Sequence, residues 1–267
     1  MLHYKTHAHS QLAPWVVFIH GAGGNSSIWY KQVRAFSAHF NLLLVDLRGH
    51  GRSPGVSENA QQYSFEAIAS DVLEVLDHLQ IAKAHFVGVS LGTIVIRQLA
   101  EMQPQRVSSM VMAGAIAKLD FRGKFFVGLG RMFKNVLPFM WLYKLFAFVI
   151  MPRANHAESR NFFIREAQKL ARKEFLRWYK LTGQLTPLLR RFEAVLPDIP
   201  TLYVMGRQDH MFLPTVADMV ARTKAATLEV VEQCGHVVTI EQAQRFNEAA
   251  IRFLTGQSEL QLQAEQA

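Results

Sequence analysis

Sulfur chemistry is almost missing from this chain. One cysteine, Cys234, stands among 267 residues. A single thiol closes no internal disulfide and builds no structural zinc site, so a disulfide-stapled secreted domain is excluded. Met1 to Pro14 has no apolar run preceded by positive charge, which is not the pattern of a secretory signal. These two absences point to a reducing, cytoplasmic address. Long apolar stretches are scarce as well. The best candidate span, Asn135 to Met151, has 17 residues and contains Pro138 and Lys144, too short and too interrupted for a transmembrane helix. Internal repeats are absent. Half of the chain is hydrophobic and 19% is charged, which excludes a disordered, collagen-like or coiled-coil protein.

Acidic side chains are the other shortage, 21 against 29 Lys and Arg for a net charge of +8. The imbalance is local. Ile116 to Leu196 holds 16 Lys/Arg against 5 Asp/Glu, a net of +11, whereas the rest of the chain is mildly acidic at −3. One internal segment thus carries all the excess positive charge, as a module with its own partner surface would. The acidic remainder argues against nucleic-acid binding.

Short apolar runs bounded by turn residues fill both flanks of that segment. Trp15–Ile19, Asn41–Val45, Ala84–Val89, Val107–Ala113, Thr201–Met205 and Thr227–Val231 read as strands buried on both faces. Leu2–Thr6 adds an edge strand. Between the runs lie helical patterns. Ser64 is an N-cap for a helix whose apolar face is Phe65, Ile68, Val72, Val75, Leu76 and Leu79. Leu91–Met102 and Ile240–Leu254 are helical, and the polar tail from Gly256 is expected to fray. Inside the basic segment, Asn161–Tyr179 reads as one amphipathic helix. Strands alternating with helices give an α/β fold with a mostly parallel sheet. The expected domains are a core of residues 1–115 and 197–267 and a helical cap of residues 116–196 inserted in it.

Chemistry enters at Gly88-Val89-Ser90-Leu91-Gly92, a G-x-S-x-G run where a strand meets a helix. Such a junction needs a sharp turn that lifts the serine above the sheet, with glycine two places before and after because side chains there would collide. His20-Gly21-Ala22-Gly23-Gly24 follows an earlier strand, and its backbone could present an N–H to a developing oxyanion. Asp46 to Ser53 reads as a structural loop, and His50 is not taken as a catalytic base. A nucleophilic serine needs a base and an orienting carboxylate. His236 lies after the last strand and Asp209 after the strand before it, giving the chain order Ser90, Asp209, His236. Each sits at the C-terminal end of a strand, where open parallel sheets place their sites. Asp120 is a second candidate orienter. His3, His7 and His9 read as surface residues, and no metal or cofactor is expected.

On these residues the chain resembles the α/β-hydrolase superfamily, in its carboxylesterase and lipase-like branch. The resemblance covers roughly residues 14–115 and 198–255. It implies Ser90 as nucleophile, His236 as general base and then acid, and Asp209 as its orienter. The backbone N–H groups of Ala22 and Leu91 would form the oxyanion hole. It also implies that Ile116–Leu196 is the helical cap, and that one or two antiparallel strands usual in the family are absent or shortened. A serine at position 90 sets aside the branches whose nucleophile is aspartate. The implied activity is hydrolysis of a carboxylic ester, with thioesterase, lactonase, C–C bond hydrolase, aminopeptidase or slow ligand sensor as alternatives. The segment's Phe and Met residues either pack the cap or line an apolar acyl pocket. Lys124, Arg131, Lys134 and Lys144, set among aromatics, suit either a solvated face or weak contact with an anionic membrane surface.

Overall fold

The computed structural model describes residues 1–55, 63–119, 123, 128 and 138–266. Its strands are β1 (Tyr4–His7), β2 (Trp15–Ile19), β3 (Asn41–Val45), β4 (Ala84–Val89), β5 (Val107–Ala113), β6 (Thr201–Gly206) and β7 (Ala226–Val231). They form one sheet in the order β1-β3-β2-β4-β5-β6-β7. Only β1 runs antiparallel, pairing Tyr4 with Val45 and His7 with Leu42. The α/β expectation therefore holds, with a single antiparallel strand at the N-terminal edge.

The central strands are largely apolar and buried along their length because helices cover both faces. β3, β4, β5 and β6 are buried throughout. In chain order the helices are α1 (Val33–Phe36), α2 (Phe65–His78), α3 (Leu91–Met102), α4 (Phe139–Ile150), α5 (Ala157–Gln168), α6 (Arg172–Ala194), α7 (Leu213–Val220), α8 (Val238–Glu241) and α9 (Ala243–Gln266). Helix α2 starts where Ser64 accepts the Ala67 N–H, and it buries the stripe read from the sequence, with Leu79 half-buried just beyond its end. Phe18, Phe36, Trp29 and Phe246 form a wholly buried aromatic cluster, with Phe18 rings at 4.9 Å from Trp29 and 5.2 Å from Phe36.

Three helix boundaries differ from the sequence reading. The single helix expected over Asn161–Tyr179 is two, α5 and α6, because the chain turns at 169–171. No Gly or Pro marks that break; it carries Leu170 into a buried cluster with Tyr143, Ala167 and Phe175. The closing helix is also divided, since Gln242 leaves helical geometry (φ −135°, ψ 52°). The tail does not end near Gly256 but stays helical to Gln266. Ser258 there bonds the buried His85 at 3.0 Å, which ties the added turns to β4.

Helices α4, α5 and the first half of α6 stand over the C-terminal ends of the strands. The chain leaves the sheet after β5 and returns in its neighbour β6, so this excursion does not interrupt the strand order. Among the described residues, no helix is long and apolar enough to cross a membrane.

Candidate functional site

The turn from β4 into α3 forces Ser90 into the left-handed region, at φ 53° and ψ −119°. A non-glycine residue there carries strain, and such strain is kept where the surrounding structure imposes it. The Ser90 N–H donates to the Ala113 carbonyl at 3.0 Å, and Thr93 Oγ1 donates to the Ser90 carbonyl at 2.6 Å. Gly92 is required for a different reason. A Cβ on it would lie on the Ile19 carbonyl oxygen of the neighbouring strand.

Three side chains far apart in sequence meet above this turn. Ser90 Oγ lies 2.9 Å from His236 Nε2, and His236 Nδ1 lies 2.8 Å from Asp209 Oδ2. The carboxylate accepts the Nδ1 proton, which leaves Nε2 free to accept from the serine hydroxyl. Asp209 is held in turn by the Phe212 N–H, 3.2 Å from Oδ1. Asp209 and His236 are both buried. Asp120, the other candidate orienter, lies outside the described residues.

Ala22 and Leu91 sit beside Ser90 on the wall of a cavity of about 200 Å³. Leu91 opens α3, where the first N–H groups have no partner inside the helix. The Ala22–Gly23 peptide is clamped from two sides. Tyr143 of α4 donates its hydroxyl to the Ala22 carbonyl at 2.9 Å, and the Gly23 N–H donates to His50 Nε2 at 3.0 Å. Gly23 has φ +69°, and a side chain on it would collide with the Tyr143 ring. The clamp holds the peptide that directly follows the Ala22 N–H.

Two buried histidines brace the same loop without reaching Ser90. His20 Nε2 accepts the Leu47 N–H at 2.9 Å. His50 hydrogen-bonds the Arg48 carbonyl through Nδ1 at 3.2 Å. Burial lowers both pKa values, and for His50, with His20 beside it, the value falls to about 3, so it is neutral at physiological pH. Asp46 anchors the loop's base. Burial opposes its charge, but backbone N–H groups from Arg52 and Ser26 outweigh that and hold its carboxyl below the usual range. His3, read from sequence as a surface residue, instead bonds Asp46 at 3.1 Å and is half-buried; His7 and His9 are exposed.

The loop carrying His236 is pinned from outside the sheet. Glu241, nearly fully buried, accepts the Gly235 N–H at 2.6 Å and the Ser159 hydroxyl at 2.7 Å. His156 packs beside it, its Nε2 2.8 Å from Gln208 Oε1. Cys234 is buried next to this loop, and burial raises its thiol pKa far above the ordinary range, so it is an inert packing residue.

The sequence reading missed Tyr143, His156 and Glu241. Glu241 carried a usable signal, an acid in the first turn after Gly235-His236. Tyr143 carried none that distinguishes it from the other aromatics of Phe139–Phe148. Most of the rest of the cavity wall is apolar, including Ile116, Leu142, Phe146, Phe163, Phe175 and Leu185, with Tyr179 and Thr182 as polar members. Among the described residues no Asp, Glu, Lys or Arg lines it. Nor does any described group of His, Cys, Asp and Glu form a metal-binding cluster.

Comparison with known proteins agrees with this architecture. The model of the alpha/beta hydrolase family matches residues 16–249. The 3-oxoadipate enol-lactonase 2 of Acinetobacter baylyi is 29% identical over 262 residues, covering 93% of this chain and 91% of that protein. The pimeloyl-(acyl-carrier protein) methyl ester esterase of Aeromonas salmonicida is 28% identical over 253 residues, covering 91% and 96%. Among solved structures, the enol-lactonase from Burkholderia xenovorans superposes with a TM-score of 0.77 at 23% identity, covering 95% of this chain and 96% of that one.

Proposed function

The chain belongs to the alpha/beta hydrolase family, and from that premise we propose that it hydrolyses carboxylic esters with an uncharged, apolar acyl group through an acyl-enzyme on Ser90. The observation that carries this reading is the Ser90–His236–Asp209 chain of hydrogen bonds, 2.9 and 2.8 Å long, opening into an apolar cavity. His236 Nε2 takes the Ser90 proton as Oγ attacks the carbonyl carbon. Asp209 keeps the imidazole in the tautomer that can accept that proton and stabilises the imidazolium that follows. The oxyanion forms against the N–H groups of Ala22 and Leu91. His236 then protonates the departing alkoxide. A water molecule, activated by the same imidazole, releases the acid and restores Ser90.

The substrate class follows from the wall. A carboxylate or ammonium on the acyl group would lose its hydration and meet no opposite charge among the described lining residues. Cleavage of a lactone, an internal ester, is the second reading. It is favoured by the full-length similarity to an enol-lactonase and needs no change in the roles above.

A series of p-nitrophenyl esters of increasing acyl length tests the proposal, with labelling by a fluorophosphonate. Ser90→Ala should lose label and fall by about 10⁴-fold or more in kcat. Hydrolysis by that variant at a rate close to the parent's would sink the assignment. Ring-opening of simple lactones faster than hydrolysis of matched open-chain esters would select the second reading.

A further inference from the structure

We propose that the outer face of helix α4 docks this protein on an anionic lipid surface, with the mouth of the Ser90 cavity turned toward the lipid. Along α4, Tyr143, Ala147 and Ile150 point inward and are buried. The opposite side carries Trp141 (68% exposed), Leu145 (46%) and Phe148 (51%), at the three- and four-residue spacing that lines one helical stripe. Phe146 is 36% exposed beside them. Four large apolar side chains on one helix exceed the scattered single exposures normal for a protein surface.

Charge selects the occupant. Lys144 lies on the flank of the stripe, and Arg153 is exposed just past the end of α4. Arg165 and Arg172 are exposed on α5 and at the start of α6. The described acids of the same segment are already engaged. Glu158 pairs with Lys31, Glu166 with Lys169, Glu174 with Arg177, and Glu193 with Lys118 and Arg222. Glu166 and Glu174 are also buried, so they offer little charge to a partner. An apolar stripe containing tryptophan, with Lys144 on its flank and Arg153 just past its end, matches the boundary between acyl chains and negatively charged headgroups.

The stripe is also continuous with the site. Leu145 and Phe146 are exposed on α4 and line the cavity that holds Ser90, as does Leu142. A surface that seats this face would thus sit at the cavity wall, and an apolar molecule could enter without crossing bulk water. Docking itself requires no turnover, so it stands or falls separately from the proposed hydrolysis.

The test is co-sedimentation of the full chain with vesicles of phosphatidylcholine alone or with roughly 30 mol% phosphatidylglycerol. Ser90→Ala serves as a second, catalytically silent form, and neither Trp141 nor Phe148 belongs to the cavity wall. We expect binding to the mixed vesicles only, by both forms, reduced at least ~10-fold by the pair Trp141→Ser and Phe148→Ser. Raising salt from about 0.02 M to about 0.5 M should weaken it in the same direction. The double variant should hydrolyse a short soluble ester at the parent's rate and show a single cooperative unfolding transition. Three results would overturn the proposal: no binding to mixed vesicles, binding that survives the double substitution, or a solution dimer that the double substitution disperses.

Discussion

The sheet and the helical excursion above it share one apolar core but solve different problems. β3 to β6 are buried along their whole length, and their C-terminal ends hold Ser90 and Asp209 by backbone geometry. The excursion of α4, α5 and early α6 buries Ala147, Ile150 and Trp178 against the same core and adds individual polar links. Tyr143 reaches the Ala22 carbonyl, Asn25 reaches Glu166 at 2.7 Å, and Trp178 donates to the Arg48 carbonyl at 3.1 Å. The contrast teaches that the chemistry is set by strands, and that the surroundings of the substrate are set by parts that can change one side chain at a time. The links also reach the site itself, because Tyr143 holds the Ala22–Gly23 peptide and Ser159 of α5 bonds Glu241, which holds the Gly235 N–H.

Three substitutions or conditions would break or sharpen that contrast. On the sheet side, Asp209→Asn keeps the shape but reverses the hydrogen-bond preference toward His236, and kcat should fall by about 10⁴-fold with little change in Tm. A fall of less than about tenfold would transfer the orienting role to another carboxylate, with Asp120 the first to examine. On the excursion side, Tyr143→Phe keeps the packing and removes only the hydroxyl that clamps the Ala22–Gly23 peptide. Here kcat should fall by about tenfold while KM stays within about twofold, if the lost contact steadies the proposed oxyanion donor at Ala22 and not the ground-state ester. Equal changes in both constants would make Tyr143 a wall residue only.

The third test is stability in mild acid. Burial lowers the pKa of His50 to about 3 and that of His85 to about 4. Both imidazoles stay neutral in the fold but take up a proton in the unfolded chain below about pH 6.5. The unfolded state then binds more protons, so stability should decline between about pH 6.5 and pH 4, by up to about 1.4 kcal/mol per unit for each group. Thermal melts across that range check it. His85→Gln should flatten the slope while leaving ester hydrolysis at neutral pH intact. His85 lies between Ser109 and Ser258, remote from Ser90.

Much of the sheet was readable because strands buried on both faces leave a plain mark, a continuous apolar run stopped by a turn residue. Asn41–Val45, Ala84–Val89 and Val107–Ala113 match their strands residue for residue. The three residues that meet over α3 were readable for a related reason, since each lies in the turn or loop that ends such a run. What escaped was fixed by contacts between distant segments. The turn at 169–171 has no breaker residue and depends on where Leu170 finds its apolar neighbours. The helical tail depends on a histidine in β4 far from it in sequence. His3 looked solvent-facing because nothing local reveals that β1 lays it beside Asp46.

Helix α6 belongs to both halves of the molecule. Its first turns carry Phe175 and Trp178 to the cavity, and its last turns bury Leu188, Leu189 and Phe192 in the main core. Pro187 stands inside this 23-residue rod. Proline has no N–H to give the Gly183 carbonyl four residues back, so one rung of the ladder is missing where the rod passes from one role to the other. A missing rung makes bending there cheaper than it would be in an unbroken ladder. An incoming guest that pushes on the upper turns would spend its work there, and the strands beneath would keep their register.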